Sequence, residues 1–122
     1  MVIFDTCILI DICRGNLDIK DKISSLNTNQ LLISAITEFE FLAGARNKKE
    51  YTLISKQISQ YNVIPINNEI SDLFVQLGKS FSLSHKISVP DMLIAATALY
   101  YDIPILTSNL KDFQYIPNIK LI

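Results

Sequence analysis

Apolar residues fall along this chain in two rhythms, short unbroken runs and longer stretches at helical spacing, and the two alternate. Val2-Ile3-Phe4 is a short run ending at Asp5 and reads as a buried strand. Residues 6–14 follow with Ile8, Leu9, Ile12 and Cys13 at helical spacing, and Gly15-Asn16 stops that helix. A second helix is expected over residues 18–26, with a loop at Asn27-Thr28-Asn29. Leu31-Leu32-Ile33 predicts the next strand, after which Ser34 and Thr37 stand in capping positions for a helix through Phe39, Leu42 and Ala43. Residues 48–61 predict an amphipathic helix with Tyr51, Ile54, Ile58 and Tyr61 on one stripe. The strand expected over residues 62–66 is confined to an edge or an end by Pro65.

Beyond Asn67-Asn68 a helix is expected through Ile70, Leu73, Phe74, Leu77 and Phe81, then a polar loop over residues 82–89 that contains His85. Residues 90–101 give the clearest helical pattern, packed with Met92, Leu93, Ala95, Ala96 and Leu99. Strands at residues 103–106 and 119–122 flank a turn or short helix at residues 108–113. Apolar strands separated by helices imply a mostly parallel sheet covered on both faces. The expected fold is therefore α/β, a three-layer sandwich, in one domain over residues 1–122, with no linker or internal repeat.

That order gives a few of the twelve acidic residues a special place. Asp5 ends the first strand, and Glu40 lies in the first turns after the second. Asp91 starts the helix before the fourth strand, and Asp112 follows that strand. Carboxyl ends of parallel strands line the crevice where ligands bind in open α/β sheets, so four acids distant in sequence can converge there. Each also has a local explanation. Thr37-x-x-Glu40, Ser88-x-x-Asp91 and Asn109-x-x-Asp112 match capping patterns, and Asp5 can form an Asx turn. Clustered carboxylates repel one another, a cost that a magnesium or manganese ion offsets while leaving coordination positions for water and phosphate.

Composition narrows the chemistry further. With 49% hydrophobic residues the chain can fill a core, and no apolar run approaches the ~20 residues of a membrane span. Met1-Val2-Ile3-Phe4-Asp5 reaches a carboxylate too early for the apolar heart of a secretory leader, so the cytoplasm is the expected compartment. Cys7 and Cys13 have no partner set for zinc, since His85 is the sole histidine, and are expected to be buried free thiols. That solitary imidazole in a loop is expected to be solvated, which leaves no serine–histidine or cysteine–histidine pair. A net charge of −1 argues against a protein that coats nucleic acid, though a local basic patch can still hold a short stretch of it. Arg14, Arg46, Lys48 and Lys49 are the candidates, Arg46 foremost because it follows Glu40, against the alternative of a solvated basic face.

Four blocks, in order, carry a resemblance over essentially the whole chain. FDTCILID resembles the opening of the PIN-domain family, with Asp5 as first acid and Thr6 as the hydroxyl beside it. ISAITEFEFLAGA is similar to the family's second block and selects Glu40 over Glu38. PDMLIAATAL resembles the third, giving Asp91, and ILTSNLKDFQYIPNIKLI the fourth, giving Thr107, Asn109 and Asp112. The likeness is greatest to the VapC branch. It implies a five-stranded parallel sheet of order 3-2-1-4-5, Mg2+-dependent endoribonuclease activity (Mn2+ as a substitute), an antitoxin partner and a homodimer. In that reading Asp5 and Asp91 are the principal metal ligands, and Glu40 and Asp112 complete the pocket. Thr6, Thr107 and Asn109 orient them, and Arg14 and Arg46 meet RNA. Cys7 stands where the family commonly has Asn or Ser. The alternatives are a PIN-like domain that binds RNA or protein without cleavage and an RNA-processing nuclease outside a toxin pair. A phosphatase of the haloacid dehalogenase type would need an acid where Cys7 stands.

Overall fold

The computed structural model describes residues 1–28 and 30–122. Among them the elements run β1 (Val2–Phe4), α1 (Thr6–Cys13), α2 (Leu17–Ser25), β2 (Leu31–Ser34), α3 (Ala35–Ala43) and α4 (Lys48–Ile58). β3 (Asn62–Ile64), α5 (Asn68–Phe81), α6 (Val89–Tyr101), β4 (Ile105–Leu106) and a 3-10 turn (Leu110–Asp112) complete the order. Asn27 and Thr28 are outside any helix or strand, as expected, while Asn29 of the same loop lies outside the described residues.

Each α-helix begins on a residue whose side chain accepts a backbone N–H of the first turn: Asp5, Asn16, Ser34, Asn47, Asn67 and Ser88. Such caps satisfy donors that helical geometry leaves free, each worth about 1 kcal/mol. Gly15 ends α1 with φ at +75°, a conformation that an L side chain resists.

The strands pair in parallel in the order β3-β2-β1-β4, with Val2 opposite Leu31, Ile3 opposite Leu32 and Ile105, and Phe4 opposite Leu106. Alternate residues of each strand face opposite ways, and both ways are buried. Ile3, Leu32, Ile64 and Ile105 join a core shared with α5 and α6. Val2, Phe4, Ile33 and Leu106 join a second core with α1, the end of α4 and Phe41 of α3. Seven consecutive residues of α6, Met92–Ala98, are buried. A helix sheathed all round must be apolar all round, and its alanines allow the close approach.

Two expectations of the architecture need correction. The fifth strand is reduced to a single parallel bridge between Ile105 and Leu121, at the edge where that strand was expected. Ile105 N donates to Lys120 O (2.9 Å), and Ile122 N donates to Ile105 O (3.0 Å). Asn118 turns the chain at φ 66° just before this bridge, so little length remains for a ladder. In α4, Ile54 and Ile58 face the core but Tyr51, predicted for the same stripe, is 51% exposed.

Two glycines give opposite expectations. A Cβ at Gly15 would meet no atom within 4 Å, yet the positive φ remains, so Gly15→Ala should cost about 1–2 kcal/mol. Gly78 sits inside α5 in equally open space at ordinary φ, and Gly78→Ala should add about 0.5–1 kcal/mol. Urea unfolding midpoints of the two variants should move in opposite directions.

Candidate active site

The sheet order changes direction between β1 and β4, because the chain first builds outward on one side of β1 and then crosses to the other. At such a switch point the loops leaving adjacent strands part and open a crevice. Asp5 directly follows β1 there, and Thr107 directly follows β4.

Asp5 is 5% exposed, the one carboxylate among the buried polar residues described. Hydrogen-bond donors, with no cation among them, hold it. Thr6 N donates to Oδ1 (2.7 Å), and the Thr107 hydroxyl donates to Oδ2 (2.8 Å). Cys7 Sγ adds a longer contact to Oδ2 at 3.4 Å. Thr107 Oγ1 in turn accepts from Asn109 N (3.0 Å), which fixes the direction of its proton. Burial raises the Cys7 thiol above its ordinary range, partly opposed by hydrogen bonds from Ser108, while the Asp5 charge raises it further. Cys7 is thus a neutral donor, half-buried, and Cys13 is exposed rather than buried, its thiol directed to Gln57 Oε1 (2.7 Å).

Glu40 comes in from α3. Its Oε1 accepts the hydroxyl of Thr6 at 2.8 Å, and Thr37 Oγ1, fully buried, lies 3.2 Å from the same hydroxyl. The capping pattern Thr37-x-x-Glu40 is therefore not realised: Ser34 caps α3, and Glu40 bonds across to the start of α1. Glu38, two residues earlier, takes part in no such contact and does not line the groove described below.

Asp91 serves both local structure and the crevice. Ser88 caps α6 by accepting Asp91 N (3.3 Å), and the Asp91 carboxyl lies half-buried at the helix start. Its pKa is pushed up to about 6, first by desolvation and then by the charges of Asp5, Asp112 and Glu40, against a lowering hydrogen bond with Ser88. No lysine or arginine is among the groups that act on it. Four acids thus meet electrostatically at Asp91. Asp112, on the 3-10 turn, joins them without the cap expected at Asn109, whose side chain makes no capping bond.

The donor set here is oxygen throughout, with surplus negative charge, which suits a hard divalent cation. Among the described residues no three of the acids stand close enough to enclose an ion by themselves.

From Thr6 and Glu40 a groove of about 600 Å³ leads away between α1 and α4, past Ile10, Cys13, Arg14, Arg46 and Glu50. Arg46 is paired with Glu50 at 2.9 Å and its side chain is 85% exposed, so the pair holds it weakly. Lys48 and Lys49 lie outside the groove, on the solvated face. Tyr115 was not anticipated from the sequence: its phenol is raised by desolvation and by the charges of Asp91 and Asp112, and its hydroxyl is buried without a partner among the described residues.

A PIN-domain family profile matches residues 2–118, so the chain belongs to the PIN-domain family. Among curated relatives it is 32% identical to a Ribonuclease VapC of Rickettsia bellii, covering 99% of this chain and 94% of that protein. It is 29% identical to Ribonuclease VapC19 of Mycobacterium tuberculosis, covering 98% of each. Among solved structures it superposes on a chain of a toxin–antitoxin complex from Klebsiella pneumoniae with TM-score 0.84 and 30% identity, covering 100% of this chain and 96% of the other.

The raised Asp91 carboxyl fixes a pH dependence. Between about pH 4 and pH 6 the folded protein holds a proton at Asp91 that the unfolded chain has released, so stability falls as pH rises through that window. Asp91→Asn should therefore leave the metal-free protein unchanged near pH 4 and stabilise it by about 1–2 kcal/mol above pH 6, allowing for partial solvation. Thermal unfolding in chelator at about pH 4 and about pH 7.5 checks this. Parallel curves for the two proteins would mean that the fold does not disfavour the ionised Asp91.

Proposed function

We propose that this chain is a Mg2+-dependent endoribonuclease that hydrolyses RNA phosphodiester bonds and serves as the toxin of a toxin–antitoxin pair. The observation that carries this reading is the meeting of two held carboxylates at the switch point of the sheet: Asp5, fixed by the Thr6 amide and the Thr107 hydroxyl, and Glu40, held by the Thr6 hydroxyl. Membership of the PIN-domain family, the relatives named ribonucleases and the toxin–antitoxin complex that shares the fold all support it. Among the described residues no helix is long and apolar enough to cross a membrane.

When bound, magnesium (or manganese) supplies a nucleophilic water at neutral pH and neutralises charge on the phosphoryl group. The chain's own contribution is to hold the carboxylates ready. Thr107 and the Thr6 amide fix both oxygens of Asp5, so its orientation is set before any ion arrives. Thr6 turns one oxygen of Glu40 toward the same crevice. Asp91 would be a further ligand to the ion, and Asp112 adds field at the turn. Arg14 and Arg46 stand along the groove as contacts for RNA phosphates, Arg46 exchanging its surface pair with Glu50 for a phosphate. The antitoxin's expected role is to occupy this crevice and keep RNA out.

Removal of divalent metal with EDTA should abolish RNA cleavage, and Mg2+ or Mn2+ should restore it. RNA ends mapped after expression with and without a neighbouring antitoxin gene test the cellular role. RNA binding without new ends would favour the non-cleaving alternative.

Glu40→Gln should eliminate cleavage while Glu38→Gln stays within about 0.5 kcal/mol of wild-type stability and keeps its activity. Thr107→Val, which takes a donor from the buried Asp5, should lower activity or metal affinity about 10- to 100-fold. Metal titrations and cleavage rates on the three variants decide it, and a fully active Thr107→Val would remove Thr107 from the site.

A further inference from the structure

The loop that precedes α6 and the turn that follows β4 are joined by aromatic rings. His85 stacks on Tyr115 with centroids 3.9 Å apart and planes 14° from parallel. Phe81 meets both edge-on, at 5.5 Å from His85 and 5.0 Å from Tyr115. Ser84 Oγ lies 2.8 Å from His85 Nδ1, and His85 N donates to Phe81 O (2.9 Å), so ring and backbone are both fixed. His85 is nevertheless exposed, so the stack does not bury the imidazole.

The position of this stack gives it a use. His85 precedes the cap Ser88 by three residues, and Ser88 precedes Asp91 by three. Tyr115 follows Asp112 by three. The rings therefore tie together the two segments that carry these acids, on the side of the crevice away from the groove of Arg14 and Arg46. Single-stranded RNA is bound by stacking unpaired bases on aromatic side chains beside a site that holds the backbone. A flat ring, already ordered and still exposed, suits an incoming base because little freedom remains to be lost.

We propose that His85, backed by Tyr115 and Phe81, is a stacking shelf for one base of the RNA whose phosphate lies at the acidic crevice, an inference that rests on the ribonuclease reading above. The shelf reads a π-face rather than a hydrogen-bonding edge, so it places the strand without choosing its sequence. Its alternative is a clamp that only fastens the Asp91 and Asp112 segments to each other.

The two roles separate in kinetics on short single-stranded RNA oligonucleotides with Mg2+. For a shelf, His85→Ala raises KM about 5- to 150-fold, the span of one base–aromatic stack, with kcat kept within about threefold. His85→Phe restores KM, since it keeps a ring. An oligonucleotide abasic at one position binds the wild type as weakly as His85→Ala binds the intact strand, and His85→Ala is indifferent to that change. For a clamp, His85→Ala lowers kcat and weakens Mn2+ binding in the absence of RNA, and every abasic oligonucleotide suffers alike; that result overturns the proposal. A wild type that cleaves and a His85→Ala variant with unchanged KM overturns the shelf alone. A wild type that neither binds nor cleaves any of these RNAs overturns the ribonuclease reading, and the shelf with it.

Discussion

The organisation of this molecule follows from burying one carboxylate at the end of its central strand. Removing an ionised group from water costs several kcal/mol unless other groups replace the lost hydration. For Asp5 the replacements are the Thr6 amide, the Thr107 hydroxyl and the Cys7 thiol, with no lysine or arginine among them. Hydrogen bonds to a charged group contribute about 1.5–3 kcal/mol each, so two good ones and a weak one roughly offset that cost. The arrangement demands register. Phe4 must lie opposite Leu106 for Thr107 to reach Asp5, and α1 must begin at once for the Thr6 amide to face back. Leaving out a cation keeps the negative charge of Asp5 available to an ion from outside.

Stability and chemistry pull against each other around that centre. The apolar helix α6 is fastened between the sheet and α5 by residues buried on every side, and this rigid element carries Asp91 into the field of three other acids. Such a position destabilises the ionised fold, and the packing of α6 is what allows it to persist. Sites of this kind are characteristically less stable without their ligand, because the same charge that binds the ligand repels itself in its absence.

What was legible in the sequence was mostly local or periodic. Alternation and run length marked β1, β2 and β3, and the apolar density over residues 90–101 marked α6. The capping signals at Ser34 and Ser88 were readable because a cap acts within three residues. Non-local contacts were not. Thr37-x-x-Glu40 resembled a capping box, yet the partner of Glu40 is Thr6, thirty-four residues away in sequence. The fifth strand depended on a ladder that is a single bridge, close after the turn at Asn118. Cys13 ends a helix at the rim of a groove, which composition alone could not place. His85 was read as solvated, and it is exposed, but its ring rests on Tyr115, thirty residues on. Local pattern reports which residues can be functional, whereas their directions come from contacts across the sheet.

The charge distribution explains why a chain with a net charge of −1 can still be suited to a polyanion. Charge acts over about a Debye length, ~8 Å at physiological salt, so the local sign along the groove matters more than the total. Glu40 and Glu50 line the groove together with Arg14 and Arg46. On the ribonuclease reading proposed above, a strand of RNA would be held at the arginines, and a divalent cation would offset the repulsion between its phosphate and the carboxylates. On that reading, binding of metal and binding of the reacting phosphate would be coupled through electrostatics. The Arg46–Glu50 pair fits this scheme: an exposed ion pair is weak in water and yields readily to a phosphate that offers a better acceptor. On that reading a few arginines within one groove, rather than a basic surface, would hold the strand at its backbone beside the acids.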